Sequence, residues 1–148
     1  MKRDGRLSSV LHALLHMAAG QGPVTSEALA ACMGTNPVVV RRTMAGLRNG
    51  GFVRSEKGHR GGWTIACDLR RVTLRDIHKV LGEPAVFAIG NRNETSECLV
   101  EQSVNAVLDD AFEAAETLLM QRFGNVTLAE LVDEFSGRLK TLEENRKD

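Results

Sequence analysis

Between Thr35 and Ala66 the chain carries cations whose types and spacing suit a polyanion. Arg41, Arg42 and Arg48 fall in one stretch opening with Asn36-Pro37, and Lys57, His59 and Arg60 follow within Lys57-Gly58-His59-Arg60-Gly61-Gly62. A guanidinium presents a fork of donors that fits phosphate oxygens or the edge of guanine, whereas an ammonium holds phosphate as a point charge. Thr25 and Ser26 add hydroxyls at the expected start of a helix, where free backbone N–H groups also favour an anion. These groups point to grip and recognition, not bond-making. No Ser/His/Asp constellation, no carboxylate pair in a nameable motif and no Gly-rich nucleotide loop of the G-x-x-x-x-G-K-[ST] or G-x-G-x-x-G kind is present, so no enzyme is expected.

The net charge of zero conceals two opposed halves. Residues 1 to 75 hold 12 Lys and Arg against 4 Asp and Glu, and residues 76 to 148 hold 7 against 15. A surplus of positive charge in one half is most useful for displacing counterions from nucleic acid, so double-stranded DNA is the expected partner. The acidic half is left for solvent, a second copy of the chain or a protein partner.

Local signals place the basic groups on definite elements. Val10, Leu11, Leu14, Leu15 and Ala18 recur at helical spacing, and Gly20-Gln21-Gly22-Pro23 ends that helix. Thr25 or Ser26 caps a short second helix that Gly34 terminates. Asn36 caps a third, with Pro37 at the first position, where its missing N–H costs nothing. Two helices joined by a short glycine turn form a helix-turn-helix. In the third helix Val40, Met44 and Leu47 fall on one side and should face inward. Val38, Arg42, Ala45 and Asn49 lie opposite, flanked by Arg41 and Arg48. That outer face is small and basic, which suits a major groove about 12 Å wide. Arg41, Arg42 and Asn36 are expected to contact it, with Val38 or Val39 against a thymine methyl.

Asn49-Gly50-Gly51 breaks the helix, and Phe52-Val53 and Trp63-Thr64-Ile65 then read as strands rich in β-formers. Gly58, Gly61 and Gly62 permit a slender tip between them, on which Lys57, His59 and Arg60 fit a minor groove or its backbone.

Three segments, Thr35-Asn36-Pro37-Val38-Val39-Val40-Arg41-Arg42, Leu47-Arg48-Asn49-Gly50-Gly51-Phe52-Val53 and Lys57-Gly58-His59-Arg60-Gly61-Gly62-Trp63, together resemble the Rrf family of bacterial winged-helix regulators. Its members include the iron–sulfur cluster regulator, the nitric-oxide-sensing repressor and the cysteine-metabolism repressor. The similarity runs on through Val72-Thr73-Leu74-Arg75-Asp76-Ile77 to Thr127-Leu128-Ala129-Glu130-Leu131-Val132. The resemblance implies a homodimer on near-palindromic operators, with the helix from Pro37 in the major groove and the hairpin tip in the minor groove. One departure is His59, where the family commonly has a small residue or Pro.

The second half fits a dimer on its own pattern. Thr73 with Asp76 and Thr127 with Glu130 resemble capping boxes, so helices should begin at Leu74 and Leu128. From Leu99 to Phe123 a long helix carries Val100, Val104, Val107, Ala111, Ala114 and Leu118 at alternating spacings of four and three, a coiled-coil-like dimerisation seam. A second stripe, Leu108, Phe112, Ala115 and Leu119, is expected to pack on the chain's own core.

Cluster-binding members of the family that this chain resembles bring three cysteines from the loop before the long helix. Here the stretch from Glu83 to Glu97 has neither Cys nor His, and only Cys98 matches the last cysteine. One thiolate per chain does not hold an iron–sulfur cluster of the usual Cys-rich kind, so no cofactor is expected. The alternative is a cluster with unusual ligands, Cys98 joined by Glu101 or a first-helix residue. Cys98 is instead a candidate redox-sensitive thiol, with the helix N-terminus favouring thiolate and Glu94, Glu97 and Glu101 opposing it. Cys32 and Cys67 read as small core residues. His12 and His16, four apart on one helix, have the spacing to share a metal but no third ligand nearby in sequence, so no metal is assigned.

At 148 residues with 43% apolar content, the chain can bury one core with an appendage. No apolar run approaches the ~18 residues of a membrane span, and no signal-peptide core follows Met1-Lys2-Arg3-Asp4, so a soluble, cytoplasmic protein is expected. The expected architecture is mainly α with a small β-hairpin. Residues 1–84 form a winged helix-turn-helix, and residues 85–148 a dimerisation helix and C-terminal helix. The expected function is a homodimeric, sequence-specific transcriptional regulator acting as a repressor, gated by oxidation of one thiol. The competing class is a winged-helix module that acts through a protein partner.

Overall fold

A computed structural model describes residues 4–147. Six helices and one hairpin follow in the order α1 (Arg6–Ala19), α2 (Ser26–Met33), α3 (Pro37–Asn49), β1 (Val53–Glu56), β2 (Gly62–Ile65), α4 (Leu74–Val80), α5 (Leu99–Gly124) and α6 (Leu128–Asn145). Among the described residues no helix is long and apolar enough to cross a membrane.

The helix-turn-helix is built by its caps. Thr25 Oγ1 accepts from the Ala28 N–H and Asn36 Oδ1 from the Val39 N–H, each satisfying an orphan donor of the first turn. Gly34 ends α2 in the left-handed conformation with φ 66°, which releases the chain into α3 without a side-chain penalty. Val40, Met44 and Leu47 are fully buried as their spacing predicts, meeting Val10, Ala13, Leu14 and Met17 of α1 and Leu29 and Ala30 of α2.

The strands are antiparallel, with Val53 opposite Ile65 and Ser55 opposite Trp63. β1 starts one residue later than expected and runs on through polar Glu56. The reason is that the Phe52 N–H is already taken by the Leu47 carbonyl, which closes the end of α3. A feature with no local signature completes the wing. Val24 pairs with Trp63 through two backbone hydrogen bonds of 3.0 and 2.8 Å, so the segment before α2 acts as a minimal third strand. This requires Gly62, whose backbone at φ 150° lies so close to Val24 that a Cβ would sit 2.5 Å from the Val24 carbonyl oxygen.

Thr73 and Asp76 form the full reciprocal capping box at the start of α4. Thr127 caps α6 by accepting from the Glu130 N–H, without the reciprocal side-chain bond. The two caps lie side by side in a Thr73–Thr127 bridge, and Leu128 is buried in the same core as α1 and α3. Thus α6 is tied to the winged-helix unit through Leu128 and the Thr73–Thr127 bridge.

No residue of α5 is buried. Val100 and Val107 are 73% and 70% exposed, and Val104, Leu118, Ala111 and Ala114 are exposed too, so the whole seam stands uncovered in one chain. Of the second stripe, Leu108, Phe112 and Leu119 are half-buried, with Phe87 and Phe112 ring centroids 5.8 Å apart, while Ala115 remains exposed.

Candidate nucleic-acid interface

On α3 the outward residues Val38, Arg42 and Asn49 are exposed as the helical period requires, while Ala45 is half-buried. Val38 and Val39 are exposed at the N-terminal end, and Arg42 is exposed beside them, with no ion pair among the described residues. Two bare valines flanked by an unpaired guanidinium offer apolar contact and forked donors together, the combination that reads base edges. Asn36 has its carbonyl oxygen committed to the cap, which leaves its Nδ2 hydrogens for a ligand.

Arg41 differs from Arg42 in a way the sequence does not disclose. Its Nη2 lies 3.0 Å from Glu27 Oε1 on α2, in a pair with both side chains more than half exposed. Such a pair contributes no more than about 1 kcal/mol, so a phosphate can compete for the guanidinium. Arg48 turns toward the wing, its guanidinium carbon 6.0 Å from the Trp63 ring centroid, near the limit of a cation–π contact.

The hydroxyls at the start of α2 are engaged but not exhausted. Ser26 Oγ accepts from Trp63 Nε1 at 3.0 Å and Thr25 Oγ1 from the Ala28 N–H, so each keeps its own O–H hydrogen as a donor. The Trp63–Ser26 bond also fastens the wing to the helix-turn-helix. At the tip, Lys57, His59 and Arg60 are all exposed. A backbone bond from Gly61 N–H to the Gly58 carbonyl makes the turn, and a Cβ on Gly61 would lie 2.3 Å from the Glu56 carbonyl oxygen. Arg54, exposed on β1 opposite Thr64, adds a cation to the wing that strand pattern alone did not single out.

A family comparison settles what kind of protein carries this face. The family described as iron-dependent transcriptional regulators, Rrf2, matches residues 4–134. The chain belongs to the Rrf2 family. It is a transcriptional regulator and not an enzyme. YwnA of Bacillus subtilis strain 168, assigned as an HTH-type transcriptional regulator, is 24% identical over 131 residues, covering 88% of this chain and 96% of that protein. Among solved structures, a transcriptional regulator from Lactobacillus plantarum superposes with a TM-score of 0.73 at 20% identity, covering 97% of each chain. The Rrf2-type fold is shared by IscR of T. potens, with a TM-score of 0.65 at 21% identity over 90% of this chain and 88% of that one. It is shared also by CymR of B. subtilis, the global cysteine regulator, with 0.59 at 22% over 90% and 98%.

The family's description names iron, and the residues at the start of α5 do not fit an iron–sulfur cluster. Cys98 is exposed, the loop before it supplies no thiol, and among the described residues no group of three ligating side chains includes it. What the site does favour is a thiolate. The Glu101 and Val100 backbone N–H groups at the α5 N-terminus hold the Cys98 pKa below its usual value. Of the opposing carboxylates, Glu101 is paired to Arg92 at 3.0 Å and bonded by Ser96, which blunts its charge. Burial instead pushes the Cys32 and Cys67 thiols up. Cys67 packs against the core as expected. Cys32 lies on α2 beside His12 and His16 of α1.

Proposed function

We propose that this Rrf2 regulator is a homodimeric, sequence-specific repressor that places α3 in the major groove and the wing tip in the minor groove of double-stranded DNA. One observation carries the reading. The exposed face of α3 and the cationic wing belong to one packed unit, the wing joined to the start of α2 by the Val24–Trp63 backbone pair and the Trp63–Ser26 bond and α2 sharing a core with α3. Arg42, Val38 and Val39 would read bases, with Asn36 Nδ2 beside them. Arg41, Arg48, Thr25 and Ser26 would hold phosphate, and Lys57, His59 and Arg60 the minor groove or its backbone.

The uncovered Val100, Val104, Val107, Ala111, Ala114 and Leu118 stripe supports dimerisation through α5, because an apolar seam this long is seldom left to water. Sedimentation of the wild type and Val104→Glu tests it. A dimer that becomes a folded monomer in the variant supports the seam, and a wild-type monomer at micromolar concentration contradicts it. In vitro transcription from a template with a selected binding site over the promoter tests repression: added protein should lower transcript, and a rise would make it an activator.

Gating by Cys98 is supported by its exposure and its lowered pKa. The thiolate attacks hydrogen peroxide, forming a sulfur–oxygen bond and releasing hydroxide as the peroxide bond breaks, which leaves a sulfenic acid at the start of the dimer helix. Peroxide should change DNA affinity in the wild type and leave Cys98→Ser unaffected; equal responses would remove Cys98 as the sensor.

A further inference from the structure

The first two helices hold a constellation that DNA binding leaves unused. His12 and His16, one turn apart on α1, face each other with Nε2 atoms 2.9 Å apart and ring centroids 4.8 Å apart. Cys32 reaches the same point from α2, and the ligating atoms of all three residues lie within 4.8 Å of one another. Cys32 lies twenty positions after His12 in sequence, so the histidine spacing alone gave no sign of a third ligand.

We infer that His12, His16 and Cys32 form a binding site for a borderline-soft divalent ion, Zn2+, that clips α1 to α2. Two imidazole nitrogens and one sulfur exclude the hard cations, which take oxygen ligands, and match the His and Cys donors of zinc sites. With Zn–N bonds of about 2.0–2.1 Å and Zn–S of about 2.3 Å, tetrahedral coordination needs the nitrogens about 3.3 Å apart and the sulfur about 3.6 Å from each. In the structure the two Nε2 atoms stand 2.9 Å apart and the three ligating atoms all lie within 4.8 Å of one another, close to that arrangement. Two facing Nε2 atoms must otherwise share one hydrogen, whereas an ion between them accepts both lone pairs.

Three protein ligands leave the coordination sphere open. His12 and His16 also line a cavity of about 270 Å3 with Leu15, Ala19 and Phe135, which gives room for water or another exogenous fourth ligand. Three protein ligands with an open fourth position resemble zinc sites that admit an exogenous ligand, not closed four-residue structural sites. The half-buried Cys32 thiol must give up its proton, so each Zn2+ bound forms one Zn–S bond and releases one proton to solvent. The site stands on this geometry alone. Its effect on DNA, through the Thr25–Ser26 end of α2, rests on the function proposed above and is measured separately.

Reduced, metal-free protein titrated with Co2+ tests the site without DNA. Thiolate-to-cobalt charge transfer and intense visible bands of tetrahedral Co2+ should appear, saturate at one ion per chain and bleach when Zn2+ is added. Cys32→Ser should abolish the charge-transfer band. His16→Gln, on an exposed surface, should weaken binding by more than about a hundredfold, beyond the loss that an outer-shell group causes. Cys98→Ser and Cys67→Ser should retain the full spectrum. Circular dichroism of each variant without metal separates ligand loss from misfolding. Absence of the band in folded, reduced wild type, or its survival in folded Cys32→Ser, overturns the site; failure to bind DNA would leave the spectrum unchanged.

Discussion

The indole N–H of Trp63 donates to the hydroxyl of Ser26 at 3.0 Å, joining the wing to the first residue of α2 across 37 positions of sequence. Together with the Val24–Trp63 backbone pair, it fixes the wing relative to α2 and thus to α3. Trp63→Phe keeps most of the buried ring and removes the donor. It should destabilise the fold by about 0.5–1.5 kcal/mol in urea unfolding, the usual net worth of such a bond, plus a smaller packing loss.

Gly62 holds a contact that no side chain tolerates. Because the obstacle is Val24 backbone and not a flexible side chain, Gly62→Ala must either displace the wing or strain it. A loss of about 1–3 kcal/mol is expected, with weaker DNA binding. Full stability in thermal unfolding would show that the wing is not held this way.

Glu27 and DNA compete for Arg41. Glu27→Gln removes the carboxylate 3.0 Å from the guanidinium while keeping its shape. DNA affinity should rise several-fold at low salt, and folding stability should change by less than about 1 kcal/mol, as for other exposed pairs. Lower affinity in anisotropy titrations would mean that Glu27 positions Arg41 for its contact.

Cys98 should react ahead of the other thiols. A lowered pKa places its thiolate in use at lower pH, whereas burial raises the pKa of Cys32 and Cys67, so their thiolates form only at higher pH. Alkylation by iodoacetamide, followed by peptide mass spectrometry, should show the Cys98 rate rising first as pH increases. Equal pH profiles would contradict the helix N-terminus as its activator.

Local chemistry made much of this molecule legible in its sequence. The caps Thr25, Asn36, Thr73 and Thr127 bond nearby N–H groups and therefore announce helix starts without knowledge of the fold. The inward set Val40, Met44 and Leu47 followed from period alone. What stayed hidden are pairings made across the chain: Val24 with Trp63, Ser26 with Trp63, Glu27 with Arg41, and Cys32 with the histidine pair. Each depends on how α1, α2 and the wing pack, and no local periodicity encodes it. Leu128 belongs with them, since its amphipathic helix could have joined either half of the chain.

On the function proposed above, the α3 face and the wing bind operator DNA as one surface. Fluorescence-anisotropy titration on a duplex selected from a random pool, repeated over a range of salt, tests it most directly with the wild type, Arg42→Ala and Arg60→Ala. The wild type should bind with a steep salt dependence. Arg42→Ala should lose about 1–3 kcal/mol and discriminate less between sequences, and Arg60→Ala should weaken all duplexes alike and reduce the salt slope by about one. Binding that is salt-independent, or that both variants leave intact, would contradict the account.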